Sequence, residues 1–466
     1  MTQIALPAPP RLDAEVRALG TRLARRRRSP RAAAQTLHDR AMALVAGDPQ
    51  LRAALFRLVD VAPACAGPRE LAAHLDAFLG QVEQPGGLAR LASRAVGASG
   101  ARGGSGAAGR AAGGARSDLV GRAAAASVRA MAGRFIVGES PAQAAPTLRR
   151  LWLQGTAASV DLLGEATVTA EEGRAYADRC DEALRVLAAA SAGWPARPLL
   201  ERDRAGALPR VNLSVKVTAL TPHVRGAAPE RGRADAADHV RRLLRTAREV
   251  GAHLHVDIES MESRELILDL VLELLSEREF RDGPSAGIVL QAYLRDAEEV
   301  AARVLGWARA SERAVPLTIR LVKGAYWDHE TIEAAQHGWT PPVWTEKAES
   351  DRCFERLTRE LVDAFPLVRP AIASHNLRSV AHAVACARAA GLERGDLELQ
   401  VLRGLGDDLQ DALAAEGLRG RTYCPVGDLV AGMAYLVRRL LENTSNDSFL
   451  ASRASGTDLD RLLEAP

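Results

Sequence analysis

Two periodicities divide this chain. In the first hundred residues, apolar side chains recur at helical spacing: Leu37, Ala41, Leu44 and Val45, then Leu51, Leu55, Leu58 and Val59. This predicts an α-helical N-terminal region over residues 1–96. From residue 118 onward, short apolar runs alternate with amphipathic stretches. Eight runs have strand length: residues 159–164, 210–217, 253–257, 287–292, 317–322, 371–374, 398–402 and 422–425. Between them lie helical stretches at 233–250, 264–278, 297–310, 351–364 and 378–390. Alternating strand and helix implies a parallel sheet. Eight repeats predict closure into a TIM-like (β/α)8 barrel over residues 118–450, with an open doubly wound sheet as the alternative. Residues 451–466 are left as a C-terminal tail.

Residues 97–116 contain only Gly, Ala, Ser and Arg. Such a stretch has little to bury, so residues 97–117 are expected to be a flexible linker. Its Gly104, Gly106 and Gly109 meet a GxGxxG spacing, but no apolar strand precedes them, so a phosphate loop is not read. The basic run at residues 25–28 has no interleaved aromatics and reads as a solvated helix face. Sixty-one Lys and Arg against 58 Asp and Glu leave a charge of only +3, so no nucleic-acid partner is expected. The five cysteines form no CxxC pair and no cluster with histidine, which argues against disulfides and structural metal and for a cytoplasmic setting. Neither a secretory leader nor an apolar run of about 20 residues is present in the sequence.

Polar residues stand at the ends of the predicted strands, where a barrel carries its active site. Glu165 follows the first strand, Lys216 ends the second, and Asp257 and Glu259 close the third. Gln291 closes the fourth, and Arg320 and Lys323 lie in and just after the fifth. His375 and Asn376 follow the sixth, Arg403 the seventh, and Tyr423 lies in the eighth. Of the 18 aromatic residues, 11 fall after residue 290, among them Tyr326, Trp327, Trp339 and Trp344. That clustering beside charged strand ends suits a planar ligand or an apolar substrate. A predicted last helix, residues 429–442, sets Tyr435, Arg438, Arg439 and Glu442 within two turns. A guanidinium there would bind a carboxylate through two parallel hydrogen bonds. Taken alone, the same helix also reads as an ordinary surface helix.

Several long motifs occur in order. They are RFIVGES (134–140), DLLGEA (161–166), NLSVKVTAL (212–220), HVDIES (255–260), VLQAY (289–293) and IRLVKGAYWD (319–328). ASHN (373–376), LQVLRGLGDD (399–408), RTYCPVG (421–427) and YLVRRLLEN (435–443) complete the set. With these, the sequence resembles the proline dehydrogenase family over about residues 120–450, most closely the proline dehydrogenase half of the bifunctional proline utilization A flavoenzymes.

The resemblance implies a (β/α)8 barrel with noncovalent FAD. It implies oxidation of L-proline to Δ1-pyrroline-5-carboxylate and transfer of the electrons to a membrane quinone. Lys216, Arg438 and Arg439 match the family's carboxylate clamp, and Glu165 the acidic partner of its ion-pair gate. Tyr326, Tyr435 and Leu402 match the walls of the ring pocket, with Ala325 beside them. Asp257 and Tyr423 match positions that orient the arginines and shape that pocket. Gln291, Arg320, Lys323, Trp327, His375 and Asn376 match the flavin site; Thr345, Lys347 and Glu442 match its adenosine and phosphate end. No metal is implied. Neither the ribbon-helix-helix DNA-binding segment nor the aldehyde dehydrogenase domain of the family's largest members is found, so a separate Δ1-pyrroline-5-carboxylate dehydrogenase is expected to take the product. Quinone use implies peripheral contact with the inner face of the membrane. A flavin-barrel reductase and an inactive barrel serving as partner or regulator stay as alternatives; neither gives a reason for the YLVRR motif.

Overall fold

Eight strands pair side by side, all parallel and in chain order, until the last meets the first. The computed structural model describes residues 9–25, 57, 61, 64–80, 118, 119, 121–126, 133–164, 167–224, 229–428, 432 and 459–466. The barrel strands are β1 (Thr156–Leu162), β2 (Asn212–Lys216), β3 (His253–Asp257), β4 (Ser285–Gln291), β5 (Leu317–Val322), β6 (Val368–Ala373), β7 (Glu398–Leu402) and β8 (Gly420–Val426). All eight predicted strands are present, and β3, β5 and β7 have the predicted bounds. Four of the others extend further upstream than expected. β8 begins at Gly420 and β1 at Thr156, where small residues hide pairing that the register makes plain: Thr156 lies beside Gly420 and Ala157 beside Arg421. β6 begins at Val368 because Arg369, which looks like a break in an apolar run, points inward onto Asp203 at 2.8 Å.

Contacts divide the chain into two units, residues 1–27, 137–426 and 457–466 in one, and 28–136 and 427–456 in the other. In the first, α1 (Pro9–Arg25) precedes the barrel and α3 (Pro141–Leu153) leads into β1, while α2 (Pro68–Gly80) belongs to the second unit. The helices after the strands are α4 (Ala170–Ala192), α5 (Pro229–Glu249), α6 (Met261–Ser276), α7 (Ala297–Ala310), α8 (Trp327–His337), α9 (Lys347–Asp363), α10 (Leu377–Ala389) and α11 (Asp407–Ala415). α4 starts where Thr169 accepts from the Glu172 amide and the Glu172 carboxylate accepts back from the Thr169 amide, a reciprocal cap.

Alternation along each strand sorts the core. Leu213 and Val215, Leu254 and Val256, Ile288 and Leu290, and Ile319 and Leu321 are buried on the helix side. Val240, Leu243 and Leu244 of α5 and Ile267, Leu268, Val271 and Leu275 of α6 are buried as well. Each such side chain contributes about 1.5–3 kcal/mol when fully buried. The opposite faces line the barrel axis, and there the residues are polar. At the N-terminal end, a short hairpin (Arg202–Asp203 with Gly206–Ala207) inserts Asp203 among Arg369 and Arg419. Arg421 donates to Glu398 at 2.8 Å. Burial pushes the Glu398 carboxyl up, but Arg421 and Arg419 outweigh it and hold it well below the carboxylate range. Above this, His253 and His255 stack 5.5 Å apart, and the room for His255 comes from Gly287, where a Cβ would stand 2.3 Å from the His255 ring.

α1 packs a buried stripe of Leu12, Val16, Leu19 and Leu23 onto the barrel unit. Arg378 of α10 donates to Asp13 of α1, to Glu355 of α9 and to the carbonyl of Leu463, all near 2.7 Å. Leu463, after the short helix Leu459–Leu462, presses against Gly20 of α1. The expected division into 1–96, 97–117, 118–450 and 451–466 differs from this grouping, because the apolar face of α1 and the last residues both settle on the barrel unit. The linker and the Leu37 to Val59 pattern lie outside the described residues.

The second unit contains α2 (Pro68–Gly80), where Leu71 packs with Ala124 against Cys65, Leu75 and Phe78. Arg69 grips Asp118 with two bonds of 2.7 and 2.9 Å. Among the described residues no helix is long and apolar enough to cross a membrane.

Candidate active site

The register sets the mouth of the barrel. Lys216 and Asp257 are the last residues of β2 and β3 and pair side by side. Ser159 of β1 pairs with Tyr423 of β8, and Val289 of β4 with Arg320 of β5. The inward-facing side chains of six strands therefore converge at the C-terminal end.

Arg320 is the hub. Its guanidinium donates to Asp257 Oδ1 (2.5 Å), Gln400 Oε1 (2.7 Å), Ser214 Oγ (3.1 Å) and Ser159 Oγ (3.3 Å). Those partners sit on β3, β7, β2 and β1, so one side chain spans the barrel. The second oxygen of Asp257 accepts the Tyr423 hydroxyl at 2.8 Å, and the Arg320 guanidinium lies 5.3 Å from the Tyr423 ring centroid. That distance permits a cation–π contact.

Lys216 is the second buried cation. Its ammonium donates to Asp161 Oδ1 at 2.5 Å, and both side chains are almost fully enclosed. Burial favours the neutral amine, but the carboxylates of Asp161, Glu259 and Asp257 outweigh it and lift the pKa above the usual lysine value. Across the mouth, the Tyr326 hydroxyl donates to Glu259 Oε1 at 3.2 Å, and Thr218 donates to its other oxygen. Ala325 and Tyr326 are half-buried in the loop after β5, and Leu402 is half-buried at the end of β7. Gly324 carries φ +141, and a Cβ there would stand 2.4 Å from the Tyr293 ring, so Tyr293 forms the floor of that loop.

The residues expected at a flavin lie around the same rim. Gln291 ends β4 and donates to the Ile258 carbonyl at 2.8 Å. Lys323 is paired with Asp351, and Lys347 reaches the other oxygen of Asp351 at 2.8 Å. Burial lowers the Lys323 pKa although Asp351 opposes it. His375 Nε2 accepts the Leu402 amide at 2.8 Å, which ties the loop after β6 to β7. The Asn376 side chain caps α10 by accepting from the Ser379 amide at 2.9 Å. Trp327 donates to the Trp344 carbonyl at 2.8 Å, and Thr345 is exposed just before α9. Arg403 follows β7 and donates its amide to the Tyr423 carbonyl.

Lys216, Asp257, Arg320, Tyr326 and Tyr423 are thus brought together. Glu165, Tyr435, Arg438, Arg439 and Glu442 lie outside the described residues. Asp161, Gln400 and Glu259 received no role from the sequence, nor did Ser159, Ser214 and Thr218, which also join the network. Asp161 stood inside the DLLGEA motif as part of a strand. The inward alternation of Ala157, Ser159 and Asp161 beside Lys216 was the signal for it. Among the described residues no group of three or more His, Cys, Asp or Glu is placed to hold a metal.

Comparison with known proteins agrees with this geometry. The family model described as Proline dehydrogenase matches residues 144–452, and that described as Proline utilization A N-terminal domain matches residues 13–135. The chain is 33% identical over 348 residues to the bifunctional protein PutA of Salmonella typhimurium, covering 73% of this chain and 25% of that protein. It is 29% identical over 320 residues to a proline dehydrogenase of Deinococcus radiodurans, covering 69% of this chain and 88% of the relative. The crystal structure of proline utilization A from Bdellovibrio bacteriovorus, inactivated by N-propargylglycine, superposes with a TM-score of 0.85 at 34% identity. That match covers 97% of this chain and 44% of the other. The chain spans about a quarter of the length of the bifunctional Salmonella relative.

Proposed function

Because the chain belongs to the proline dehydrogenase family, we propose that it oxidises L-proline to Δ1-pyrroline-5-carboxylate with FAD and passes the electrons to a quinone. The observation that carries this reading is the convergence of two buried cations, Lys216 and Arg320, with Tyr326 and Tyr423 at the barrel mouth. Proline is a small zwitterion with an apolar ring, so cations suit its carboxylate and aromatic walls suit its methylenes. An ammonium has three donors; among the described residues Lys216 gives one to Asp161, which leaves two for a substrate carboxylate. Arg438, Arg439, Tyr435 and Glu165 enter this proposal on the resemblance alone, as clamp, wall and gate. Ala325 and Leu402 stand beside the ring in it.

In the reaction the C5–H bond gives up a hydride with its electron pair, the imino nitrogen loses a proton, and a C=N bond forms. FAD, when bound, supplies the two-electron acceptor. The residues that would hold it are Gln291, Arg320, Lys323, Trp327, Thr345, Lys347, His375, Asn376 and Glu442. The donor set fits: the ammonium groups of Lys323 and Lys347 both reach the Asp351 carboxylate, which sets two cations side by side where a diphosphate would bind. Arg320, fixed by four partners, needs no reorganisation to favour an electron-rich ring. Asp257 orients Arg320, and Tyr423 orients Asp257. The product would pass to a separate Δ1-pyrroline-5-carboxylate dehydrogenase, and quinone reduction would take place at the inner face of the membrane through peripheral contact.

Purified protein should be yellow, its flavin absorbance should bleach on addition of L-proline, and a quinone should restore it. Colourless protein that takes up no FAD would make it an inactive barrel. Bleaching by reduced nicotinamide but not by proline would make it a reductase.

A further inference from the structure

Asp161 is the least solvated carboxylate at the mouth. Its residue exposure is 1%, and it reaches the barrel axis from β1, where its register partner is Ser214, two residues before Lys216. One oxygen accepts from the Lys216 ammonium at 2.5 Å, and the other is sealed from solvent with the Tyr423 hydroxyl facing the carboxylate. A carboxylate buried this deeply is poorly explained by stability, since an apolar pair of the same volume would serve the fold as well. The other acids near Lys216 are engaged elsewhere: Asp257 by Arg320 and Tyr423, Glu259 by Tyr326 and Thr218. Among the described residues Asp161 is the one acid that accepts from the ammonium.

We propose that Asp161 is the positioning residue for Lys216, anchoring its ammonium at the mouth so that the two remaining N–H bonds meet the substrate carboxylate. This rests on the proline reading of the site. The groups that face this pair are Asp257 and Glu259 from the end of β3, Tyr423 from β8, and Tyr176 and Cys180 from α4. Tyr176 and Cys180 are both pushed up by burial, Cys180 to about 12, so neither supplies a charge near neutrality. Glu259 and Asp257 remain as the distant counter-charges once Asp161 is neutralised.

The sign follows from burial. With Asp161 present the ammonium stays charged through the neutral range. Asp161→Asn keeps the shape and removes the charge, so burial lowers the Lys216 pKa and the amine loses its proton as pH rises. The proline KM of Asp161→Asn should exceed that of the wild-type holoenzyme at least about tenfold, and the ratio should climb further as pH passes the lowered Lys216 pKa, one pKa unit being a factor of ten. A ratio near one at every pH would overturn the proposal. A second readout does not need turnover. NMR of ε-13C-lysine-labelled protein, with Lys216→Met to assign the resonance, should show Lys216 titrating more than about one pH unit lower in Asp161→Asn; an unmoved titration overturns the proposal. If wild-type protein does not act on proline while the resonance moves, the function assigned to the site falls and the Asp161–Lys216 coupling stands. Should Asp161→Asn not fold, Asp161→Glu keeps the charge but displaces it. The proline KM should then rise severalfold without a new pH limb, and a wild-type value would overturn the positional claim.

Discussion

Tyr423 illustrates how one side chain can serve two neighbours. Its hydroxyl fixes Asp257 and its ring lies beside Arg320, so it orders the hub, and in the proposed function it also presents a wall to the substrate. Truncation should open that wall. Tyr423→Ser is expected to improve the kcat/KM ratio of hydroxyproline over proline by about tenfold, equivalent to ~1.4 kcal/mol of differential transition-state binding; an unaltered preference would remove Tyr423 from the pocket. His253 makes a different point. Burial, reinforced by Arg421, lowers its pKa from 6.5 to about 3, so it is neutral in the folded barrel and gains a proton on unfolding. The unfolded chain then binds the extra proton below pH 6.5. The stability that His253 contributes by staying neutral is whole above pH 6.5 and drains away as pH falls toward 3, at about 1.4 kcal/mol per unit. His253→Asn should flatten the dependence of the urea-unfolding free energy on pH by about one proton across that window, and an identical slope would exclude the histidine as its source.

Among elements, α10 bears more than its place in the barrel ring demands. Arg378 joins α1, α9 and the carbonyl of Leu463 through one guanidinium. Removing it leaves the buried Glu355 without its guanidinium, while Asp13 keeps Arg17, so Arg378→Met should cost about 3 kcal/mol of unfolding free energy in urea. A loss under about 1 kcal/mol would mean that the apolar stripe of α1 alone holds that helix in place. Element order and the location of all eight strands were legible, with the bounds of β3, β5 and β7, because apolar runs of fixed length mark the face that meets the helices. What escaped was written in small or charged residues. α4 was not among the expected helices; half of its buried residues are Gly173, Ala177, Cys180 and Ala183, which carry little periodic contrast. Arg369 lay outside the predicted strand at 371–374 and is a strand interior. At the site, the strand-end rule found Lys216, Asp257 and Arg320, whereas their partners Asp161 and Gln400 lie inside strands, where only a cross-barrel register reveals them.

The whole molecule separates two kinds of interior. An apolar layer between strands and helices holds the fold, and a polar column along the axis, from Asp203 to Lys216, holds the chemistry. A ligand seated on the column should therefore stabilise the whole. At about a hundredfold its dissociation constant, FAD should add ~2.7 kcal/mol to the unfolding free energy and raise the melting temperature of the apoprotein; a melting temperature indifferent to FAD would mean that the rim residues do not bind it. The α1 contacts carry a cost of another sort, paid during synthesis. Asp13 and Arg378 are separated by 365 residues. At about 5–20 residues per second, a ribosome needs roughly 20 to 70 s to cover that span. Throughout that wait Leu12, Val16, Leu19 and Leu23 have no docking surface, so the nascent chain exposes a greasy stripe that a holdase is suited to shield until α10 has been made.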